Sequence, residues 1–269
     1  MGGRATVIDH LLASESSGGV HFPPSVNDFF PPPLTSGSPE WLTKFVVLPW
    51  LAVGILIAFF LVAYRRPTIV PGRLQWMAES LYGLNRDAIA RQMIGPDGVK
   101  FAAYFTTLFS FILLTNLFGI IPLIQISPNS HIAFPIVMAV VSYVLFNYVG
   151  LRKYGLRYFK NALVPNAPWF ILPILVPIEF FSTFIVRPAT LALRLFANMF
   201  AGHMILLVFT LAGFALLGAQ TWYIKPISVL SWAMAIAMTF LEAIVIILQA
   251  YVFVALTSSY ISGALAEEH

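Results

Sequence analysis

The chain has 269 residues, of which 59% are hydrophobic and 10% charged, with a formal net charge of +4. Soluble domains carry about 25% charged residues, so the composition excludes a soluble globular fold and implies an integral membrane protein. The lack of cysteine excludes disulfides, thiolate metal sites and cysteine nucleophiles. The basic residues gather in loops beside apolar segments, where they act as topology signals and not as a nucleic-acid surface.

Several stretches exceed the roughly 20 apolar residues that a bilayer requires. Backbone in lipid closes its hydrogen bonds in helices or in a sealed barrel. The apolar runs here lack period-2 alternation and therefore predict helices. Residues 1–41 are polar and include Pro31-Pro32-Pro33; they read as an extended arm outside the membrane, without the apolar stretch of a signal peptide. A single helical membrane domain is expected over 42–269. Its first span runs from Leu42 to Tyr64 and stops at Arg65-Arg66, with Pro67 and Pro71-Gly72 breaking the helix. Leu74, Met77, Leu81, Leu84 and Ala88 then recur at steps of three and four. That is one face of an amphipathic helix, lying on the membrane surface or against a neighbouring subunit.

Phe101 to Ile126 is a second span with no formal charge, residues 127–131 are a short uncharged link, and Ile132 to Val149 is a third span. Arg152, Lys153, Arg157 and Lys160 form a second basic loop. Pro168 to Leu217, with Pro173, Pro177 and Pro188, and Ile227 to Leu265, with no internal proline, are much longer. As helices they would reach about 75 and 58 Å, against a hydrocarbon core of roughly 30 Å. Tilting accommodates such excess, so the expectation is two long, strongly tilted helices forming a hairpin that turns near Gly218 to Lys225. The fold class is thus all-α, with about five membrane crossings and one amphipathic surface helix. Basic loops face the cytoplasm, which places the N-terminal arm outside and the C-terminus inside.

Formal charges inside the two long segments are few: Glu179, Arg187, Arg194 and Glu242, with His203 and Gln249 adding polar capacity. An arginine within hydrocarbon costs roughly 2.5–3.5 kcal/mol on insertion scales, which marks Arg194 as a functional candidate. On a helix Arg187 lies about 20° from Arg194, Thr190 and Asn198 lie about 40° away, and His203 lies about 180° around. Glu242 and Gln249 share a stripe on the last helix, continued by Tyr260. Arg194 then presents a permanent positive charge to one partner, while His203 and Glu242 face elsewhere and can pair as a proton relay. Structural alternatives stand beside these roles. Arg187 can snorkel to a headgroup, Glu179 can be a helix-end carboxylate, and His203 can be a satisfied core histidine. Asn198 and Gln249 can be interhelical glue, and Arg194 can form a buried ion pair with Glu242.

The run Arg194-Leu-Phe-Ala-Asn198-Met-Phe-Ala-Gly-His203 resembles the signature of subunit a of the F-type ATP synthase. Arg187-Pro188, Asn116-Leu-Phe-Gly-Ile-Ile-Pro122 and the last-helix pattern from Glu242 to Leu248-Gln249-Ala250 resemble further elements of that bacterial family. Residues 27–32 look actinobacterial. The resemblance implies a non-catalytic stator subunit of the Fo sector in the cell membrane, with two half-channels against a rotating ring of c subunits that each carry an essential carboxylate. It implies b-type peripheral stalk subunits, lipids and protons as further partners, and no cofactor or metal. By position Arg194 would separate the half-channels, Asn198 and Gln249 would lie beside the ring-facing surface, and His203 and Glu242 would line the uptake path. In some relatives the acid lies on the arginine helix and the histidine on the last helix; here they are exchanged. The exchange preserves the contact and leaves open which of the two carries the proton. Coupling to protons is expected over sodium, although the c-subunit site decides it.

Three other classes fit less well. A self-contained channel or secondary transporter often carries internal repeats, and none is visible. An intramembrane hydrolase needs a Ser–His pair or a metal motif, and there is no His-Glu-x-x-His. A structural anchor has no use for Arg194.

Overall fold

The structure is a computed structural model that describes residues 44–121, 124, 126–155, 158, 171–218 and 225–265. The N-terminal arm, Pro122, Arg157, Lys160 and the hairpin turn at 219–224 lie outside the described residues. Among those described, every regular element is a helix, and five helical stretches are long and apolar enough to cross a membrane.

Helix α1 covers Lys44–Ala63 and ends, as expected, at the Arg65-Arg66-Pro67 break. Helix α2, Arg73–Gly83, passes into a π-helical turn over Leu84–Arg91. Its buried side consists of Gln75, Ala78, Asn85, Ile89 and Ala90, while Leu74, Met77 and Leu84 remain exposed. This side packs on the bundle with Leu81 partly buried beside it, and Leu74, Met77 and Leu84 face outward. A short 3-10 turn, Pro96–Phe101, leads into α3, Ala102–Leu117. The second span therefore stops at Leu117 and not at Ile126. The chain turns over 118–121, with Gly119 N–H donating to the Asn116 carbonyl at 3.0 Å.

A 3-10 turn at Pro128–Ser130 precedes α4, Ala133–Tyr154. This helix is longer than expected. Arg152 and Lys153 lie in its last turn and not in a loop, where cations offset the exposed carbonyl end of the helix. Gly155, at φ 60°, ends it, a conformation that glycine adopts without Cβ strain.

The last two stretches are 47 and 41 residues long, about 70 and 62 Å as helices, so they run obliquely to a core of roughly 30 Å. The first comprises α5, Leu172–Phe181, a π turn at Ser182–Val186, and α6, Arg187–Gly218. The second is α7, Lys225–Leu265. Their contacts run in opposite chain directions: Asn198 meets Gln249, His203 meets Glu242, and Ser231 donates to the Phe209 carbonyl. Farther along, Gly213 abuts the Trp232 indole so closely that a Cβ there would overlap the ring. Only an antiparallel pair gives this order.

The core lies between α3, α4, α6 and α7, where Phe105, Phe146, Leu195, Phe253 and Ile261 are fully buried. The outward faces carry many exposed apolar side chains, such as Trp50, Leu61, Ile174, Ile236 and Phe240. In water such a surface would drive aggregation; in a bilayer it is the ordinary solvent contact.

Candidate functional site

Besides the Ser231–Phe209 contact, two side-chain pairs join α6 to α7 among the described residues. At the first, Asn198 Nδ2 donates to Gln249 Oε1 at 2.7 Å. Asn198 is exposed, whereas Gln249 is buried behind it and does not reach the surface. The Gln249 Nε2 group has no hydrogen-bond partner among the described residues. At the second, His203 Nδ1 lies 2.5 Å from Glu242 Oε1, with both side chains at most 4% exposed. Gly202 creates the room, because a Cβ there would stand 3.1 Å from Glu242 Oε1.

Arg194 lies on the other side of α6. It is exposed, and no carboxylate among the described residues lies within ion-pair distance of it. The Arg194–Glu242 ion pair considered from the sequence therefore does not form: Glu242 is spent on His203. Ala197 and Ala201 are exposed beside Arg194, whereas Ala192 is buried. The small residues thus serve two surfaces, the α6 packing face and a shallow strip next to the arginine.

Arg187 does not share the open situation of Arg194. Its guanidinium is 3.6 Å from Glu179 Oε1 and sits over the Tyr260 ring, 5.7 Å from the centroid. Glu179 and Arg187 are eight residues apart, about 80° off on an ideal α-helix. The π turn between them lags the wheel by about one residue's rotation and closes that offset. Thr190 uses its hydroxyl on the Arg187 carbonyl. Of the four-residue polar stripe expected on α6, Thr190, Arg194 and Asn198 stay exposed, while Arg187 is half-buried on its partners.

The sequence reading missed the turn after α3. Its Ser127 N–H donates to His203 Nε2 at 3.2 Å. Behind it Asn129 Nδ2 donates to Thr115 Oγ1 and Asn116 Oδ1, both at 2.8 Å, and Ser130 Oγ donates to the Ser127 carbonyl at 2.5 Å. Thr115, Asn116, Ser127, Asn129 and Ser130 are all at most 2% exposed. The available signal was the density of small polar residues at 127–130, directly after an uncharged span that itself holds Thr115-Asn116. Gly119 completes the pocket, since a Cβ there would overlap the His203 imidazole.

The site thus offers a buried imidazole–carboxylate pair on one side of α6 and, on the other, a cation unpaired among the described residues. Among the described residues no three His, Cys, Asp or Glu side chains gather as a metal site requires.

Comparison with known proteins identifies the family. Residues 46–262 match the family described as ATP synthase A chain. The chain is 44% identical to ATP synthase subunit a of Pseudarthrobacter chlorophenolicus, over 96% of this chain and 99% of that one. It is 42% identical to ATP synthase subunit a of Nocardioides sp., over 92% and 94% of the two chains. It is 46% identical to ATP synthase subunit a of Parafrankia sp., over 81% of this chain and 75% of that relative. With most of its length matched, from α1 into the last turn of α7, the chain belongs to the ATP synthase A chain family, the membrane subunits that are not catalytic alone.

Proposed function

We propose that this chain is the proton-translocating stator subunit of the Fo sector, forming two half-channels against a rotating ring of c subunits. Arg194 is the fixed charge between them. The observation that carries this reading is that Arg194 is exposed in an apolar helix and has no anionic partner among the described residues. An unpaired guanidinium in hydrocarbon is costly, and it stays charged because its pKa is too high for deprotonation. Its partner is therefore a carboxylate from another subunit. The exposed Ala197 and Ala201 beside it let a helix backbone come close, as small residues do in membrane interfaces. A ring of c subunits with one carboxylate each supplies that partner in turn, and b-type subunits hold the stator against it.

On the opposite side of α6, His203 and Glu242 serve as the proton relay of the uptake path, with Asn198 and Gln249 as polar support nearer the ring. The N-terminal arm lies outside the cell and the C-terminus in the cytoplasm, because Arg65-Arg66 and Arg152-Lys153 flank the same side of the bilayer under the positive-inside rule. The test is Arg194→Ala in the assembled complex in liposomes. Proton-driven ATP synthesis is lost and passive proton leak rises. Normal coupled synthesis in that variant overturns the proposal.

A further inference from the structure

We propose that the Ser127 turn sets the tautomer of His203, so that Glu242 and not His203 takes up and releases the proton at this pair. The inference rests on the relay proposed above and names its carrier. A backbone N–H only donates hydrogen bonds, and that of Ser127 faces His203 Nε2 at 3.2 Å. Nε2 therefore presents its lone pair, and the neutral ring carries its single hydrogen on Nδ1. That hydrogen points at Glu242 Oε1, 2.5 Å away. Glu242 Oε2 is left as the exchange position, buried and without a hydrogen-bond partner among the described residues.

The donor is held firmly. Asn129 N–H donates to Ser127 Oγ at 3.3 Å, Ser127 Oγ contacts Asn116 Oδ1 at 3.4 Å, and Ser130 Oγ is bonded to the Ser127 carbonyl. The ring has little room to turn over, since Gly119 stands where any Cβ would overlap it. Charged and titratable groups on the surrounding elements are few. Helix α3 carries only Tyr104, the 127–130 turn carries none, α1 carries only Lys44 at its start, and the tyrosines of α4 and α7 are Tyr143, Tyr148, Tyr154, Tyr251 and Tyr260. Helix α4 carries Arg152 and Lys153 in its last turn, and α7 carries Lys225 besides Glu242. Helix α6 adds Arg187 and Arg194, and His131 lies after the turn against the Phe45 ring, with centroids 5.4 Å apart.

The proton step is then simple. A hydronium ion in the uptake path gives its proton to Glu242 Oε2, leaving water and a neutral carboxyl. The same oxygen passes that proton to the next acceptor and returns to carboxylate. His203 keeps its Nδ1 hydrogen throughout. It is a positioning residue, because routing the proton through the ring would add a hydrogen to Nε2 directly opposite the Ser127 N–H.

The test uses the assembled ATP synthase in liposomes with 15N-labelled histidine, the His203 signals being those lost in His203→Asn. Solid-state NMR is expected to show Nδ1 protonated and Nε2 bare, both in the wild type and in Ser127→Ala, which keeps the backbone donor. Ser127→Pro deletes that donor at a φ of −92°, near proline's range. It should move the tautomer ratio about tenfold toward the Nε2–H form, the worth of one net hydrogen bond, and add a new titration to the pH profile of proton flux. A wild-type His203 with hydrogen on Nε2, or on both nitrogens, overturns the proposal, as do identical spectra from Ser127→Ala and Ser127→Pro. If the proline variant does not assemble, the wild-type spectrum decides. Hydrogen on Nε2 together with flux lost in Glu242→Gln sinks this proposal alone. Intact flux in Glu242→Gln sinks the relay and this proposal with it.

Discussion

Replacing Glu242 by Gln tests the buried pair with little change of shape. The amide oxygen takes the place of Oε1, so the His203 Nδ1 hydrogen keeps an acceptor. A bond to a charged group contributes about 1.5–3 kcal/mol net and a neutral one about 0.5–1.5, so the variant loses about 1 kcal/mol at this contact. The α6–α7 interface buries many apolar side chains besides it, including Leu195, Met199, Ile246 and Phe253, and the complex should assemble. Proton flux is affected far more strongly. Positioned acid–base groups contribute about 10²–10⁴-fold, so ATP-driven acidification and proton-driven synthesis should each fall at least about 100-fold. Both are measured as initial rates in proteoliposomes, normalised to assembled complex. Glu242→Leu serves as the contrast: it leaves the Nδ1 hydrogen buried without an acceptor, costs about 1–3 kcal/mol, and should lower assembly as well as flux. If Glu242→Gln retains flux within about threefold of wild type, equivalent to about 0.7 kcal/mol of barrier, Glu242 is not a proton carrier.

Other positions give independent checks. Gly119→Ala places a methyl where the His203 ring stands; overpacking of about 1–3 kcal/mol should lower the melting temperature of the complex and depress flux together, and an unchanged flux refutes the contact. Gly213→Ala meets the Trp232 indole and should destabilise the far end of the hairpin by a similar 1–3 kcal/mol or so without altering the pH profile of flux, which a profile shift would contradict. On the surface helix, hydrogen bonds from Arg86 hold the Asp87 carboxyl below its usual range, aided by Arg91. A depressed folded-state pKa means that the contribution is present above the unfolded value and is lost as pH falls through the folded one. Amide exchange over residues 86–91 should therefore speed up in wild type as pH falls below about 4, while Asp87→Asn exchanges at a pH-corrected rate that does not change there; equal behaviour of the two refutes the link.

Much of the fold was legible because a bilayer leaves few options. Apolar run length foretold five spans, and the Arg65-Arg66-Pro67 break marked the end of α1 to within one residue. The excess length of the last two segments foretold the hairpin of oblique helices. Boundaries were less legible where apolar residues continue past a helix end. Phe118, Ile120 and Ile121 read as span, yet the chain turns there. Arg152 and Lys153 read as loop, yet they finish α4. Hydropathy does not register a turn held by Gly119, nor a helix end that stabilises cations.

The wheel placed Arg194 and His203 on opposite sides of α6, since that follows from spacing alone along an unbroken helix. What the wheel left open was partner choice: whether Arg194 or His203 takes Glu242, and what becomes of Arg187. Those depend on the register between α6 and α7 and on the π turn at Ser182–Val186, which no single-helix periodicity contains. Composition and spacing by themselves determined that the chain is a membrane bundle with an arginine inside an apolar helix. Only the tertiary structure decided that Glu242 pairs with His203, that Arg187 turns to Glu179, and that a turn 76 residues away in sequence reaches the imidazole. Local pattern sets which face a side chain takes; the packing of separate segments sets what it meets there.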